Sequence, residues 1–228
     1  MGDASDDHPG DLDALVRRVD PDRWIASRFI GEADKRADVV ALYAFDHELA
    51  RAPKVSTNPL IGEIRLTWWR EALDEIFEGR AVRRHPAAEA LAAAVSRRGL
   101  VREPLERLIE ARYRELDPQP LDEAEALAWA QGTGGTAAGL AARMLDPAAD
   151  TQGAEAAGCA WALGRRAAAS PELKPLLDRQ LAAARTAVRT LSAQAFPAAA
   201  HAALARRPDR SELGKRLRVT LAVALGRI

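Results

Sequence analysis

The stretch LYAFDHELARAPKV, residues 42–55, decides how the rest of the chain is read. Leu42, Tyr43, Leu49 and, upstream, Val39 recur at the three- and four-residue intervals of one helical face, and Pro53 ends the run. Within it stand Asp46, His47 and Glu48. Carboxylates share a helical face when three or four residues apart, whereas Asp46 and Glu48 are two apart, roughly 200° around the axis. They cannot grip one ion together from a regular helix. Glu48 and Arg51, three apart, read instead as an intrahelical ion pair.

Working outward, the texture stays helical. Ala, Leu, Arg and Glu dominate, β-branched residues are few, and no alternating run of strand length occurs. Residues 1–10 read as a disordered tail. VDPDRWIASRFI starts a helix with Asp20 as cap and Pro21 in the first turn. A helix over about 32–52 precedes the short loop KVSTN. Pro59 opens PLIGEIRLTWWREALDEIFEG, which Gly79 stops. Further helices are expected at about 86–98, 101–117, 121–147, 152–169, 172–195 and 211–226, the last with Asp209 and Glu212 in capping-box spacing. No repeat and no long linker divides them, so residues 11–228 are read as one all-α domain.

Composition excludes several function classes. The 33 basic and 33 acidic residues of the 228 give no whole-molecule field for nucleic acid or an anionic membrane. The single cysteine, Cys159, excludes an intrachain disulfide framework and a cysteine cage for zinc. Its setting, GCAWALG, reads as plain packing. MGDASDDHPGDLD lacks an apolar signal region, and no apolar run reaches the ~18 residues of a membrane span. A cytoplasmic protein, with at most peripheral contact at the inner membrane, is the expectation.

Few residues can be nominated for chemistry. The histidines His8, His47, His85 and His201 show no metal-ligand spacing, and no Ser-His-Asp or Cys-His arrangement stands out. QGTGGTAAG, residues 131–139, lacks the lysine of a phosphate loop and follows no strand, so it reads as a site of close helix packing or a kink. Glu71 and Glu75, or Asp74 and Glu78, have ligand-compatible four-residue spacing, although Leu73, Ile76 and Phe77 on the other side make a solvated acidic stripe the commoner explanation. Glu63, Arg65, Trp68, Trp69 and Arg70 crowd one span with Asn58 just upstream. Adjacent tryptophans point in different directions on a helix, so one is free to face a partner or pocket, and Trp and Arg are frequent interface anchors. The basic amphipathic segment RRPDRSELGKRLRVTLAVALGRI reads first as a helix docked on the core, with acidic lipid or a partner as the other outcome.

VALYAFDHELARAPKVSTNPLIGEIRLTWWREALDEIFEGR, then HPAAEALAAAVSRRGLVREPLERLIEARYREL, then ALAWAQGTGGTAAGLAARML, resemble the squalene/phytoene synthase family in that order. The likeness covers about residues 20–170 and is specific over 40–80. It implies a single-domain isoprenoid-synthase-like helical bundle. It also implies a cavity where two aspartate-rich helix segments hold Mg²⁺ against prenyl diphosphates, since a hard cation takes oxygen ligands and the leaving group is polyanionic. The family's first motif, Tyr-x-Phe followed after four residues by Asp-Asp-x-x-Asp, laid on Tyr43 and Phe45 falls at Ala50, Arg51 and Lys54. The second, which follows a segment like GCAWAL from Gly158, falls near Ala169 and Leu173 with Glu172 the nearby acid.

With both acidic clamps missing, the resemblance points to a non-catalytic branch that includes an assembly factor of respiratory complex I. It implies a protein partner, such as a respiratory complex subunit, no cofactor, and a cavity open to a prenyl lipid. Glu48, Arg51, Lys54, Asn58, Glu63, Arg65, Trp68, Trp69 and Arg70 are the candidate substrate- or partner-binding residues. The alternative is a magnesium-dependent head-to-head prenyltransferase, or a prenyl-diphosphate binder, using Glu71, Asp74 or Glu75.

Overall fold

A computed structural model describes residues 11–206 and 211–228. The tail 1–10 and the proposed cap Asp209 therefore lie outside the described residues. Among the described residues every regular element is helical.

The helices begin and end where local chemistry dictates. α1 (Leu12–Val19) is capped by Asp11 and is an addition to the expected elements, although Leu12, Leu15, Val16 and Val19 stand at the i, i+3, i+4, i+7 spacing of one helical face. Asp20 caps α2 (Pro21–Ser27) by accepting from the Arg23 amide. α3 (Ala33–Arg51) is buried on several sides along its length, with Val39, Leu42, Tyr43, Phe45 and Leu49 all in the core. α4 (Pro59–Phe77) starts at Asn58, whose side chain accepts from the Leu60 amide. Gly79 follows α4 at φ +68°, a conformation that costs glycine least.

α5 (Pro86–Arg98) ends at left-handed Gly99, and α6 (Arg102–Tyr113) runs on into a tight turn at Arg114–Leu116. The expected helix over 121–147 is α7 (Glu123–Ala130), a wide π turn at Gln131–Gly135, and α8 (Thr136–Leu145). Asp122 and Glu125 form a reciprocal capping box at its start. α9 (Gln152–Ala167) packs on α8 and on α10 (Lys174–Ala187). α10 stops well short of 195, and short tight turns at Phe196–Ala198 and Ala200–Leu204 fill the path back to the core. The last helix, α11 (Glu212–Leu225), is capped by Ser211.

The glycine-rich stretch permits close packing, as its composition suggests. A Cβ on Gly158 of α9 would sit 2.1 Å from the Gly134 carbonyl oxygen of the π turn, so these backbones touch where no side chain fits. One apolar cluster gathers around α3, α4, α5, α6 and α8, and a second around α9, α10 and α11. Between α2, α3, α6, the π turn and α9 a cavity is left open.

Candidate functional site

The cavity has a volume of about 630 Å³. Its floor is an arrangement of buried charges. Asp46 of α3 accepts from Arg112 Nη2 at 2.7 Å and from Arg23 Nη2 at 2.7 Å. Arg23 also bonds Asp20 through Nε, and Arg112 Nη1 donates to Glu115 at 2.7 Å. Trp129 Nε1 donates to the same Glu115 oxygen at 2.9 Å. The Arg23 guanidinium lies over Tyr43 and Trp161, 4.6 Å and 4.8 Å from their ring centroids. Burial works against the charge of Asp46, but Arg112 and Arg23 outweigh it and hold the carboxyl below its ordinary range. Both arginines remain firmly protonated. Arg23 Nη1 and Arg112 Nε are buried without a hydrogen-bond partner among the described residues.

Around the mouth stand Arg51, Lys54, Arg165 and Arg166, with Ala50, Ala169 and Ser170 between them. Arg165 lies over Trp161 and Arg166 over Trp129, at 5.1 Å and 5.0 Å. The mouth thus presents cations on aromatic faces, an arrangement suited to an anionic head group with an apolar stem. Among the described residues, no three His, Cys, Asp or Glu side chains are grouped so as to hold a metal ion.

The sequence candidates divide between this cavity and a second hollow on the other side of α3. Arg51 and Lys54 line the cavity. Glu48, Arg65, Trp68 and Trp69 line a separate groove of about 380 Å³ with Ala52, Ile61, Ile64 and His85. Glu48 and Arg51 pair at 2.9 Å, so this ion pair forms the ridge between the two hollows. Trp68 is half-buried beneath Arg83, whose guanidinium is 4.6 Å from its ring, while Trp69 is a core residue in edge contact with Phe45. Asn58 is a helix cap, Glu63 is exposed on α4, and Arg70 pairs with Glu110 over the ring of Tyr113.

The acids named for a metal alternative lie elsewhere. Glu71 and Glu75 pair with Arg83, and Asp74 with Arg102, on the outer side of α4. The hydrogen bonds from Arg83 lower Glu75 to about 2.

Sequence reasoning misses the residues at the cavity floor. The two-residue offset of Asp46 from Glu48 puts them on different faces, but it says nothing of the burial of Asp46 itself. A signal exists: Asp46 follows Leu42 by four and precedes Leu49 by three, and Arg112 extends the apolar face Leu105, Leu108, Ile109. Opposite charges at apolar positions of two different helices are candidates for one buried pair.

Residues 16–166 match the family described as squalene/phytoene synthase. Over 103 residues the chain is 30% identical to "NADH dehydrogenase (ubiquinone) complex I, assembly factor 6" of Bos taurus and 29% identical to that of Homo sapiens. The matched stretch is 45% of this chain and 30% of either relative, so the chain covers under a third of their length. Among solved structures, a dehydrosqualene synthase in complex with ligand is similar at TM-score 0.73 and 13% identity, over 94% of this chain and 95% of that one. Squalene synthase HpnC from Alicyclobacillus acidocaldarius is similar at TM-score 0.59 and 18% identity, over 94% and 92%. These likenesses agree with the all-α isoprenoid-synthase-like bundle expected from the sequence.

Proposed function

The chain belongs to the squalene/phytoene synthase family, and from that premise we propose that it is a non-catalytic member acting on other proteins, an assembly or chaperone-like factor of the respiratory complex I type. The observation that carries this reading is the lining of the cavity. Of the positions where the resemblance puts acidic ligands, Ala50, Arg51, Lys54 and Ala169 face it, whereas Leu173 is buried in the second apolar cluster instead. The carboxylates that do reach it are engaged with cations: Asp20 by Arg23, Asp46 by Arg23 and Arg112, Glu115 by Arg112. This donor set does not fit a magnesium cluster, which needs several free carboxylate oxygens. Without one, the departure of diphosphate lacks the electrostatic assistance that dominates such catalysis. The curated relatives, named as complex I assembly factors, support the same direction.

The test has two arms. Calorimetry with farnesyl diphosphate, with and without Mg²⁺, is expected to give no magnesium-dependent binding and no release of diphosphate. Magnesium-dependent release would overturn the non-catalytic reading. Affinity capture from cells is expected to recover a respiratory complex subunit, and a deletion strain with unaffected complex I would overturn the assembly role.

A second reading is favoured by a separate observation. Arg51, Lys54, Arg165 and Arg166 surround the mouth, with Trp129 and Trp161 within it. This set supports metal-independent binding of a prenyl diphosphate, with charge met by guanidinium rather than by a metal. The same calorimetry distinguishes it: binding unchanged by chelator and lost in Arg165→Gln/Arg166→Gln identifies a binder, and no heat at all rules it out.

A further inference from the structure

α11 has two faces, and only one belongs to the core. Val219 and Ala222 are buried, Lys215 Nζ lies 3.0 Å from the buried carboxylate of Asp22, and Arg218 Nε donates to the Ala203 carbonyl. These contacts fix the rotation of the helix. They also leave Leu213, Leu217, Leu221 and Leu225 pointing outward, with exposures of 78%, 60%, 49% and 66%. Four leucines at four-residue spacing on the open side of one helix are not scattered surface residues; they form a continuous stripe. The helix has 14 residues, about 21 Å of length.

The flanks of the stripe decide what covers it. Arg216 and Arg218, both exposed, stand about 100° to either side of Leu217. Leu213 and Leu221 lie only about 40° from it. An apolar arc bordered on both sides by arginines is the geometry of a helix lying in a membrane interface, with stems along the acyl boundary and guanidinium groups among the phosphates. The wider sequence has the same bias. Residues 206–228 hold seven cations (Arg206, Arg207, Arg210, Lys215, Arg216, Arg218, Arg227) against two acids (Asp209, Glu212), in a chain whose formal charge is zero.

A second copy of the chain is a poorer occupant. Pairing two such stripes would set Arg216 and Arg218 against the same arginines, with Glu212 the only acid on the helix to meet them. Among the described residues no helix is long and apolar enough to cross a membrane, so any contact through α11 is in the plane. We propose that the outer face of α11 docks the protein on an anionic lipid surface, with Leu213, Leu217, Leu221 and Leu225 entering the interface and Arg216 and Arg218 contacting lipid phosphates.

Vesicle flotation tests this. The full chain is expected to float with vesicles of phosphatidylcholine mixed with phosphatidylglycerol and not with phosphatidylcholine alone, and to be released as salt is raised. Leu217→Gln/Leu221→Gln should abolish flotation while leaving the circular dichroism melt unchanged, because both side chains are already exposed. Arg216→Gln, which leaves both the stripe and the Arg218 contact with Ala203 intact, should weaken binding to the mixed vesicles roughly fivefold. Equal binding to both kinds of vesicle, no binding to either, or an unaffected leucine variant would each overturn the proposal. So would a concentration-dependent dimer in light scattering that the leucine variant disperses, since that outcome assigns the stripe to a second copy.

Discussion

Asp46 and Arg112, 66 residues apart in the chain, meet at 2.7 Å in the interior with both side chains almost fully buried. Because the other oxygen of Asp46 is held by Arg23, one carboxylate on α3 ties α2 and α6 together beneath the cavity. The loss of that single charge would leave two buried guanidinium groups facing each other with only Asp20 on Arg23 and Glu115 on Arg112 to offset them. Asp46→Asn preserves the shape and removes the charge, and is expected to cost about 3–5 kcal/mol in urea unfolding. A cost under about 1 kcal/mol would show that the arginines are neutralised from elsewhere.

The close approach of α9 to the π turn makes a sharper steric prediction. On Gly158 a Cβ would lie 2.1 Å from the Gly134 oxygen and 2.7 Å from Ala138 Cβ, and the first of these is backbone that cannot rotate away. Gly158→Ala is expected to destabilise by about 3 kcal/mol, the upper end of overpacking costs. Gly31, where an added Cβ would meet nothing within 4 Å, provides the control: Gly31→Ala should be neutral or slightly stabilising in the same denaturation assay.

Local rules carry most of the fold into view. Proline at the first turn and glycine past the last bound α4 and α5, Pro53 closes α3, and apolar spacing places α3 and α9, all nearly to the residue, because each of those signals acts within one or two turns. What escapes is set by tertiary contact. α1 is not such a case, since Asp11 and the spacing of Leu12, Leu15, Val16 and Val19 announce it locally; the break after Ala187 is one, and follows from how residues 188–206 return to the core rather than from any proline or glycine at that point. The site is legible in the same uneven way. Ala50, Arg51, Lys54 and Ala169 are expected to face one another and do line one cavity. The charges beneath them are not foreseeable in the same manner, since a buried Asp–Arg pair is a property of two helices together, and neither sequence segment alone reveals its partner.

The groove beside α4 separates structural from binding roles within one short segment. Ile64 is 56% exposed, whereas Trp69 is 5% exposed and packed on Phe45. Ile64→Glu is therefore expected to change stability by no more than about 0.5 kcal/mol. It should nonetheless abolish capture of a client in affinity purification if the groove receives one. Trp69→Ala should cost about 3–5 kcal/mol, so its effect on capture would report unfolding rather than contact. Retained capture by a folded Ile64→Glu protein would move the client surface elsewhere.

His201 supplies a prediction about pH. It is 1% exposed, sits in edge contact with Trp161, and finds no hydrogen-bond partner for either ring nitrogen among the described residues. Burial first, and the nearby Arg23 second, push its pKa down from 6.5 to about 3. Between those values the unfolded chain binds a proton that the folded chain does not, so stability rises with pH across the window and falls on acidification. Going from pH 6.5 to pH 5 should cost about 2 kcal/mol through this residue. His47, half-buried and also lowered by burial, adds a smaller slope of the same sign. His201→Leu removes a polar group that has no partner among the described residues, and is expected to be at least as stable as the natural chain near pH 7 and to lose most of the decline toward pH 5. Urea midpoints at the two pH values check this. An equally steep decline in the variant would assign the acid sensitivity to the carboxylates instead.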